Sequence, residues 1–241
     1  MKSIFEPYGT LRQRVIGIIG TRPNVGATTT ALAIAAASVP HRAAIPLVIE
    51  GNIADPKVHR HLGIVPIAPS FEPLSFNFHE HIRLHPAGFQ VIPQHHMVSI
   101  HPHREEHIEQ LLSEAITQHA LIIIPHTPHE HTNLIFNHLQ EVLLVTDTSR
   151  EGIHNLQPLN EAARAQKHTI LGVVLNKAKP GKEDSVVDYI ERMTGLSVIN
   201  AIPHDMNVVR AREHYTPITA YPPAFRSPAE RGFTLLARKL L

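Results

Sequence analysis

The stretch VIGIIGTRPNVGATTTALAIAAA, residues 15–37, decides the fold of this chain. Its first six residues form a continuous apolar run, which is typical of a strand covered on both faces. Its alanine-rich end favours a helix that starts near Ala27. The loop between them therefore joins a buried strand to the N-terminus of a helix, where unpaired backbone N–H groups favour phosphate.

Composition narrows the class of protein. The chain has 241 residues, which suits one large α/β domain, and 43% of them are hydrophobic. Basic and acidic residues nearly balance, at 22 against 21, so the charge does not indicate a nucleic-acid partner. The absence of cysteine excludes disulfides and thiolate metal sites. The sequence shows neither a signal peptide nor a run of about 20 apolar residues. We therefore expect a cytoplasmic protein, at most peripheral to a membrane through its partners.

Short β-branched runs alternate with helical segments along the rest of the chain. Further strands are predicted at 45–50, 89–93, 121–125, 141–146, 169–176 and 197–203, and helices at 104–118, 150–166, 184–194, 206–213 and 227–240. This alternation predicts an α/β fold, with a mostly parallel twisted sheet flanked by helices on both faces. We expect a single domain over 1–241, with an N-terminal extension at 1–13 and a variable segment rich in histidine and proline at 65–103.

The predicted sheet places several polar stretches at one edge. Ligands of parallel sheets bind at the carboxyl ends of the strands. We therefore expect residues 21–28, 50–56, 125–131 and 176–180 to converge there, with strand 15–20 in the centre of the sheet.

The loop after the first strand departs from an ordinary phosphate loop. Such loops use a lysine for the β- and γ-phosphates and a following Ser or Thr for Mg²⁺. Gly26 and Thr28 stand where the glycine and the hydroxyl belong, but Ala27 occupies the lysine position. Pro23 lacks an N–H donor, while Arg22 offers a positive charge. The same residues also suit a turn that only caps a helix, so the loop alone leaves both readings open.

The loop RPNVGATT (22–29) resembles the deviant Walker A loop, roughly KGGxGKTT, of the MinD/ParA branch of P-loop ATPases. LVIEGNIADPKVHRHLGI (47–64), LIIIPHTPHE (121–130) and the tail that begins AIPHDMNVVRA (201–211) resemble further segments of that family in the same order. The variant VGATT (25–29) is similar to the loop of CpaE/TadZ-type localisation proteins. The chain is thereby identified as a degenerate member of the MinD/ParA family.

The resemblance implies roles for individual residues. Arg22 falls on the signature lysine that reaches across a dimer, Ala27 on the ordinary Walker lysine and Thr28 on the Mg²⁺ ligand. Asn176 falls on the base-contacting asparagine, while Pro203 and Asp205 border the adenine position. The nucleotide-binding residues implied are Arg22, Asn24, Val25, Gly26, Ala27, Thr28, Thr29, Asn176, Pro203 and Asp205.

The acidic positions of the family are replaced in this chain. Glu50 and Asn52 stand for two aspartates, and His126 stands for the metal-coordinating aspartate. Histidine is a poor ligand for Mg²⁺, which prefers oxygen. We therefore expect no catalytic residues, weak binding of ATP or ADP at most, and no tight binding of Mg²⁺.

Two main functions follow, and the sequence leaves both open. The first is a non-hydrolysing positional scaffold or regulator that binds a protein partner. The second is a working ATPase switch in localisation, pilus or flagellum assembly, secretion or division, in which Arg22 and other residues compensate. A third and weaker alternative is a metal-handling protein, because His126, His129 and His131 could join His101 and His103. With 20 histidines such spacings arise by chance, so we expect no metal site.

The same reasoning predicts partners and assembly. We expect a protein partner, no nucleic acid, and a monomer or a homodimer that forms without ATP. If the protein dimerises, we expect the interface to use the apolar surface at Leu134, Ile135 and Leu139. The C-terminal helix places Phe233, Leu236, Ala237 and Leu240 on one face, which we expect to pack on the sheet rather than on a membrane.

Overall fold

The computed structural model describes residues 13–41, 45–52, 55–65, 78–93, 104–126, 133–179, 181, 183–222 and 227–241. Within them the chain forms one sheet whose strands are β1 (Arg14–Gly20), β2 (Leu47–Ile49), β3 (Arg83–Leu84), β4 (Gln90–Ile92), β5 (Leu121–His126), β6 (Glu141–Thr146), β7 (Thr169–Ala178) and β8 (Val198–Pro203). The strand order is β3-β4-β2-β5-β1-β6-β7-β8. Only the edge pair of β3 and β4 is antiparallel.

Helices cover both faces of this sheet. They are α1 (Ala27–Ser38), α2 (Val58–Leu62), α3 (Phe78–His81), α4 (Arg104–Gln118), α5 (Asn133–Asn137), α6 (Arg150–His154), α7 (Leu156–Ala165), α8 (Glu183–Thr194), α9 (Met206–Glu213) and α10 (Pro228–Leu240), with a 3₁₀ turn at Val39–His41. One hydrophobic cluster joins α1, α2, α9 and α10 to one face of the sheet. The other cluster joins the five helices from α4 through α8 to the opposite face of the sheet. The predicted fold class is confirmed.

The central strand β1 has the double-sided burial that its apolar run predicts. Ile16 and Ile18 belong to one hydrophobic cluster, and Val15 and Ile19 belong to the other. This alternation follows from the two-residue repeat of a strand. β1 pairs in parallel with β5 on one side and β6 on the other, so its predicted central place in the sheet is confirmed.

The predicted helix over 150–166 is two helices. α6 ends at His154 and α7 begins at Leu156. Pro158 explains the interruption, because its ring would clash with the carbonyl of residue 154 in a continuous helix. Within α7 the same proline lies in the first turn, where a helix tolerates it.

The last helix packs as expected. Its predicted apolar face, formed by Phe233, Leu236, Ala237 and Leu240, is buried in the cluster that contains α1. Ser227 caps the helix by accepting the backbone N–H of Glu230 at 3.0 Å. None of the helices in the described residues has both the length and the apolar character needed to span a bilayer.

The predicted dimer interface is wrong for two of its three residues. Ile135 and Leu139 are buried within the chain's own second cluster. A Cβ on Gly17 would lie 2.3 Å from a Leu139 methyl carbon, so Leu139 fills the space above β1. Helical spacing identified an apolar face, but that face is used by the sheet. The side chain of Leu134 lies outside the described residues.

Other sequence predictions also fall outside the described residues. They include residues 1–12 of the extension, residues 66–77 and 94–103 of the variable segment, and residues 127–131 after β5. The described part of the variable segment contributes α3, β3 and β4 to the edge of the sheet.

We predict that Phe233→Ala lowers the free energy of unfolding by about 3–5 kcal/mol, because it leaves a cavity between α10 and the sheet. Phe233 is 1% exposed, whereas Leu235 on the same helix is 47% exposed. Leu235→Ala is therefore the matched control and should change stability by no more than about 0.5 kcal/mol. Urea unfolding measures both variants. Equal effects would contradict the packing of α10.

Candidate functional site

A cavity of about 290 Å³ lies at the carboxyl ends of the parallel strands. All ten residues predicted to bind nucleotide line it: Arg22, Asn24, Val25, Gly26, Ala27, Thr28, Thr29, Asn176, Pro203 and Asp205. The lining is completed by Asn52, Lys57, His61, Pro125, His126, Lys177, His204, Val208, Val209 and Arg212. The predicted convergence at this edge is thus confirmed for the described residues, while the binding role of each residue stays a prediction.

The loop between β1 and α1 is held in shape by β7. Gly26 has a φ of 103°, which favours glycine, and a Cβ there would lie 2.2 Å from Asn176 Nδ2. That amide nitrogen donates to the carbonyl oxygen of Val25 at 2.8 Å. Asn24 also has a positive φ, 65°, which asparagine tolerates better than most residues. Asn176, which the resemblance assigns to the base, therefore also braces the loop.

The first turn of α1 lies at the cavity and presents backbone N–H groups that can donate hydrogen bonds. Gly26 precedes the helix and makes no side-chain cap, and no acidic residue lies in the first turn. The first N–H groups of a helix have no intrahelical partner and carry the positive end of its dipole. Ala27, Thr28 and Thr29 line the cavity, so this end of α1 suits an anion.

Two lysines that sequence reasoning missed also line the cavity. Lys57 Nζ donates to Asn24 Oδ1 at 3.3 Å, and Lys177 Nζ donates to the Asn24 carbonyl oxygen at 2.7 Å. Arg212, which belongs to α9, lines the same cavity. Burial, together with the charges of Arg212 and Lys57, lowers the pKa of His61 to about 4, so that ring is neutral at pH 7. The lining is therefore rich in positive charge.

Arg22 is engaged within its own chain. Its Nη2 lies 2.5 Å from Asp147 Oδ2, and its Nε donates to Ser149 Oγ at 3.1 Å. Burial alone would raise the pKa of Asp147, but hydrogen bonds from Ser149 and Arg22 bring it below its ordinary value. The resemblance implies that this position reaches across a dimer, whereas here the guanidinium forms an ion pair in its own subunit.

His126 occupies the implied metal position without offering an oxygen. The residue is 2% exposed, and its Nδ1 lies 3.1 Å from the carbonyl oxygen of Gly51. A carbonyl only accepts hydrogen bonds, so Nδ1 carries the proton. Asp205, the one carboxylate among the described lining residues, accepts the N–H of Asn207 at 2.8 Å and caps α9. These donors do not fit Mg²⁺, which needs near-octahedral oxygen ligands.

Glu50, at the first of the replaced aspartate positions, organises the start of α2. Its carboxylate accepts backbone N–H groups from Asn52 at 3.0 Å, Lys57 at 2.6 Å and Val58 at 2.7 Å. The residue is buried, and this burial raises its pKa from 4.5 to about 7 against the opposing effect of the N–H donors. Glu50 therefore fixes the backbone of Lys57 and does not itself line the cavity.

The alternative of a histidine metal site gains no support from the described part of the chain. There, no group of three or more histidine, aspartate or glutamate residues is arranged to hold a metal ion. His101, His103, His129 and His131 lie outside the described residues.

Comparisons with known proteins agree with this geometry. A sequence family described as an AAA domain matches residues 125–212. The structure superposes on MinD of Pyrococcus horikoshii OT3, solved with Mg-ADP, with a TM-score of 0.79 and 15% identity over 95% of this chain and 96% of that one. A ParA family ATPase from Chlorobium tepidum TLS superposes with a TM-score of 0.79 and 16% identity, over 96% of this chain and 100% of that one. The chain has the fold of the MinD and ParA ATPases. No curated protein matches the sequence.

A third structure with the MinD/ParA fold is a complex. The MinC:MinD cell division complex of Aquifex aeolicus matches with a TM-score of 0.78 and 16% identity, over 94% of this chain and 95% of that chain. The cavity of the present chain lies at the edge of the sheet where the segments that resemble MinD/ParA motifs meet. In these segments, Ala27 stands where the resemblance implies a lysine, and His126 stands where it implies an aspartate.

We predict that Glu50→Gln flattens the pH dependence of stability. Because the folded-state pKa is raised from 4.5 to about 7, the stabilising contribution of Glu50 is complete below pH 4.5 and is lost as the pH rises through 7. The loss amounts to about 3 kcal/mol for a shift of this size. Urea unfolding of the wild type and the variant at several pH values across this interval measures the difference in slope.

The control for this experiment is Glu109→Gln, at an exposed position on α4. It should leave the wild-type slope unchanged. Parallel pH profiles for the wild type and Glu50→Gln would contradict the assignment of a buried, proton-binding carboxyl at position 50.

Proposed function

We propose that the protein is a non-hydrolysing scaffold or regulator with the MinD/ParA fold, which binds a nucleotide weakly and acts through a protein partner. The observation that carries this proposal is the composition of the cavity. It keeps a helix N-terminus and three basic side chains besides the ion-paired Arg22, namely Lys57, Lys177 and Arg212. Its one described carboxylate, Asp205, caps α9. A cavity of this kind suits phosphate but lacks the ligands for the metal ion.

The proposed absence of hydrolysis follows from the chemistry of phosphoryl transfer. That reaction depends on positioning and on neutralising charge with a lysine and Mg²⁺. Loss of a single well-placed donor typically costs about 10²–10³ in rate. Ala27 removes the lysine and His126 removes the metal ligand, while Arg22 is held by Asp147. The alternative of a working ATPase therefore lacks an oxygen ligand for the metal ion at position 126.

Weak nucleotide binding is supported by the part of the site that is retained. The phosphates would meet the first turn of α1 and the loop residues Asn24 to Gly26. The base would lie towards Asn176, Pro203 and Asp205, which also line the cavity. We propose ADP or ATP as the ligand, with little dependence on Mg²⁺.

A protein partner is proposed from the kind of protein that shares this fold. Structures with the same fold include a MinD captured together with MinC. A protein that binds a nucleotide without hydrolysing it acts by binding, so we propose that its effect passes through a protein partner. We therefore place this protein among positional scaffolds, of the kind that the CpaE/TadZ-like loop suggests.

We predict that the wild type binds ADP weakly in calorimetry, with the same affinity in Mg²⁺ and in EDTA, and shows no measurable ATP turnover. The double variant Ala27→Lys/His126→Asp should bind about tenfold tighter or more and gain a dependence on Mg²⁺, because it restores a charge-assisted donor and a metal ligand. Each single variant is the control for the other. Tight, strictly Mg²⁺-dependent ATP binding by the wild type would contradict the proposal.

We also predict that ATP does not change the oligomeric state. Arg22 is paired within its own subunit, and closing a dimer over phosphates with unneutralised charge is costly. Light scattering with and without ATP should give one mass, and Arg22→Ala should give the same mass. An ATP-triggered dimer that Arg22→Ala abolishes would instead indicate a working ATP switch.

A further inference from the structure

Two ammonium groups converge on one residue of the phosphate loop. Lys57 reaches the side chain of Asn24 from the start of α2, and Lys177 reaches its carbonyl oxygen from the end of β7. These contacts join positions 33 and 153 residues apart in the sequence. Both ammonium groups contact the same residue, and like charges near each other repel, so an anion bound beside Asn24 would lower the electrostatic energy of both.

Position 27 lacks the positive charge that an ordinary phosphate loop carries there. In an ordinary phosphate loop, the lysine at this place reaches the β- and γ-phosphates. Here Ala27 lines the cavity and brings no charge. Lys57 lines the same cavity, and its Nζ donates to Asn24 Oδ1 at 3.3 Å.

We propose that Lys57, with Lys177, replaces the missing lysine and that the site takes the diphosphate of a nucleotide without a metal ion. This inference rests on the nucleotide binding proposed above. The two ammonium groups neutralise the phosphate charge that Mg²⁺ and a loop lysine share in related sites. The ligand is thereby a metal-free nucleoside diphosphate rather than a metal–nucleotide complex.

The backbone and the ion pairs of Lys57 suit this role. Its N–H donates to the buried Glu50 carboxylate at 2.6 Å, which fixes where its side chain starts. Its Nζ also lies 3.1 Å from Asp55, but Arg60 lies 3.4 Å from the same carboxylate. Lys57 can therefore turn to a phosphate while Asp55 keeps a partner. Its side chain is 24% exposed, so the movement needs no repacking of the core.

The test measures ADP affinity by calorimetry in EDTA for the wild type, Lys57→Gln and Lys167→Gln. Lys167 is exposed in the turn before β7, at the opposite edge of the sheet, and is the matched control for the loss of one charge. We expect Lys57→Gln to weaken ADP binding about tenfold or more and Lys167→Gln to leave it unchanged. Lys57→Arg keeps the charge and should retain most of the affinity.

A second pair of variants separates a charge role from mere bracing of the loop. If Lys57 replaces the lysine of position 27, Ala27→Lys should raise ADP affinity about threefold more in the Lys57→Gln background than in the wild type. Equal gains in the two backgrounds would mean that Lys57 only braces Asn24, and would overturn the inference. Circular dichroism and thermal melting confirm that each variant is folded.

The outcomes distinguish this inference from the proposal beneath it. If the wild type binds no ADP, both the proposed nucleotide binding and the role of Lys57 are wrong. If the wild type binds ADP and Lys57→Gln binds as Lys167→Gln does, the nucleotide site stands and only the role of Lys57 is wrong. Wild-type affinity that rises strongly with Mg²⁺ would overturn the metal-free ligand.

Discussion

The burial of β1 on both faces is the constraint on which the rest of the structure depends. Its side chains alternate between two hydrophobic clusters, so the strand must lie inside the sheet, between β5 and β6. The loop that follows can then emerge only at the carboxyl edge. α1 returns over the sheet on small side chains, with Ala31, Ala33 and Ala35 fully buried. Its first turn is thereby held at the cavity.

Three polar side chains at this edge have hydrogen-bond or ion-pair partners within the chain. Buried polar groups without hydrogen bonds are costly, so each residue at a replaced family position needs a protein partner. Glu50 accepts hydrogen bonds from backbone N–H groups at the start of α2. Arg22 forms an ion pair with Asp147, and His126 donates to the carbonyl oxygen of Gly51. These contacts turn positions that the family resemblance assigns to phosphate and metal into supports for the fold. The backbone at this edge keeps its arrangement, although aspartates are absent at the positions where the resemblance implies them.

The electrostatic balance of the cavity changes as a consequence. Positive charge comes from Lys57 just before α2, Lys177 on β7 and Arg212 on α9. Arg22 on the phosphate loop also lines the cavity, but its charge is paired with Asp147. The carboxylates nearby are engaged, Asp205 as a helix cap and Asp147 with Arg22. An anion therefore meets donors and cations, whereas a divalent cation meets few free oxygens. This asymmetry is the basis of the proposal that the protein binds a nucleotide without hydrolysing it.

Local patterns in the sequence determined the fold class, the central strand and the C-terminal helix. The buried face of a helix or strand places apolar residues at a regular spacing, and neighbouring positions in the sequence show that spacing. The order of motifs also located ten of the twenty described residues that line the cavity. Pairings between distant residues were decided only by the tertiary structure. Lys57 and Lys177 meet Asn24, and Arg22 meets Asp147, across 33, 153 and 125 residues. Ile135 and Leu139 were assigned to an interface because spacing reveals an apolar face but not which surface covers it. Such contacts depend on how the sheet brings distant loops together, and no local repeat encodes that geometry.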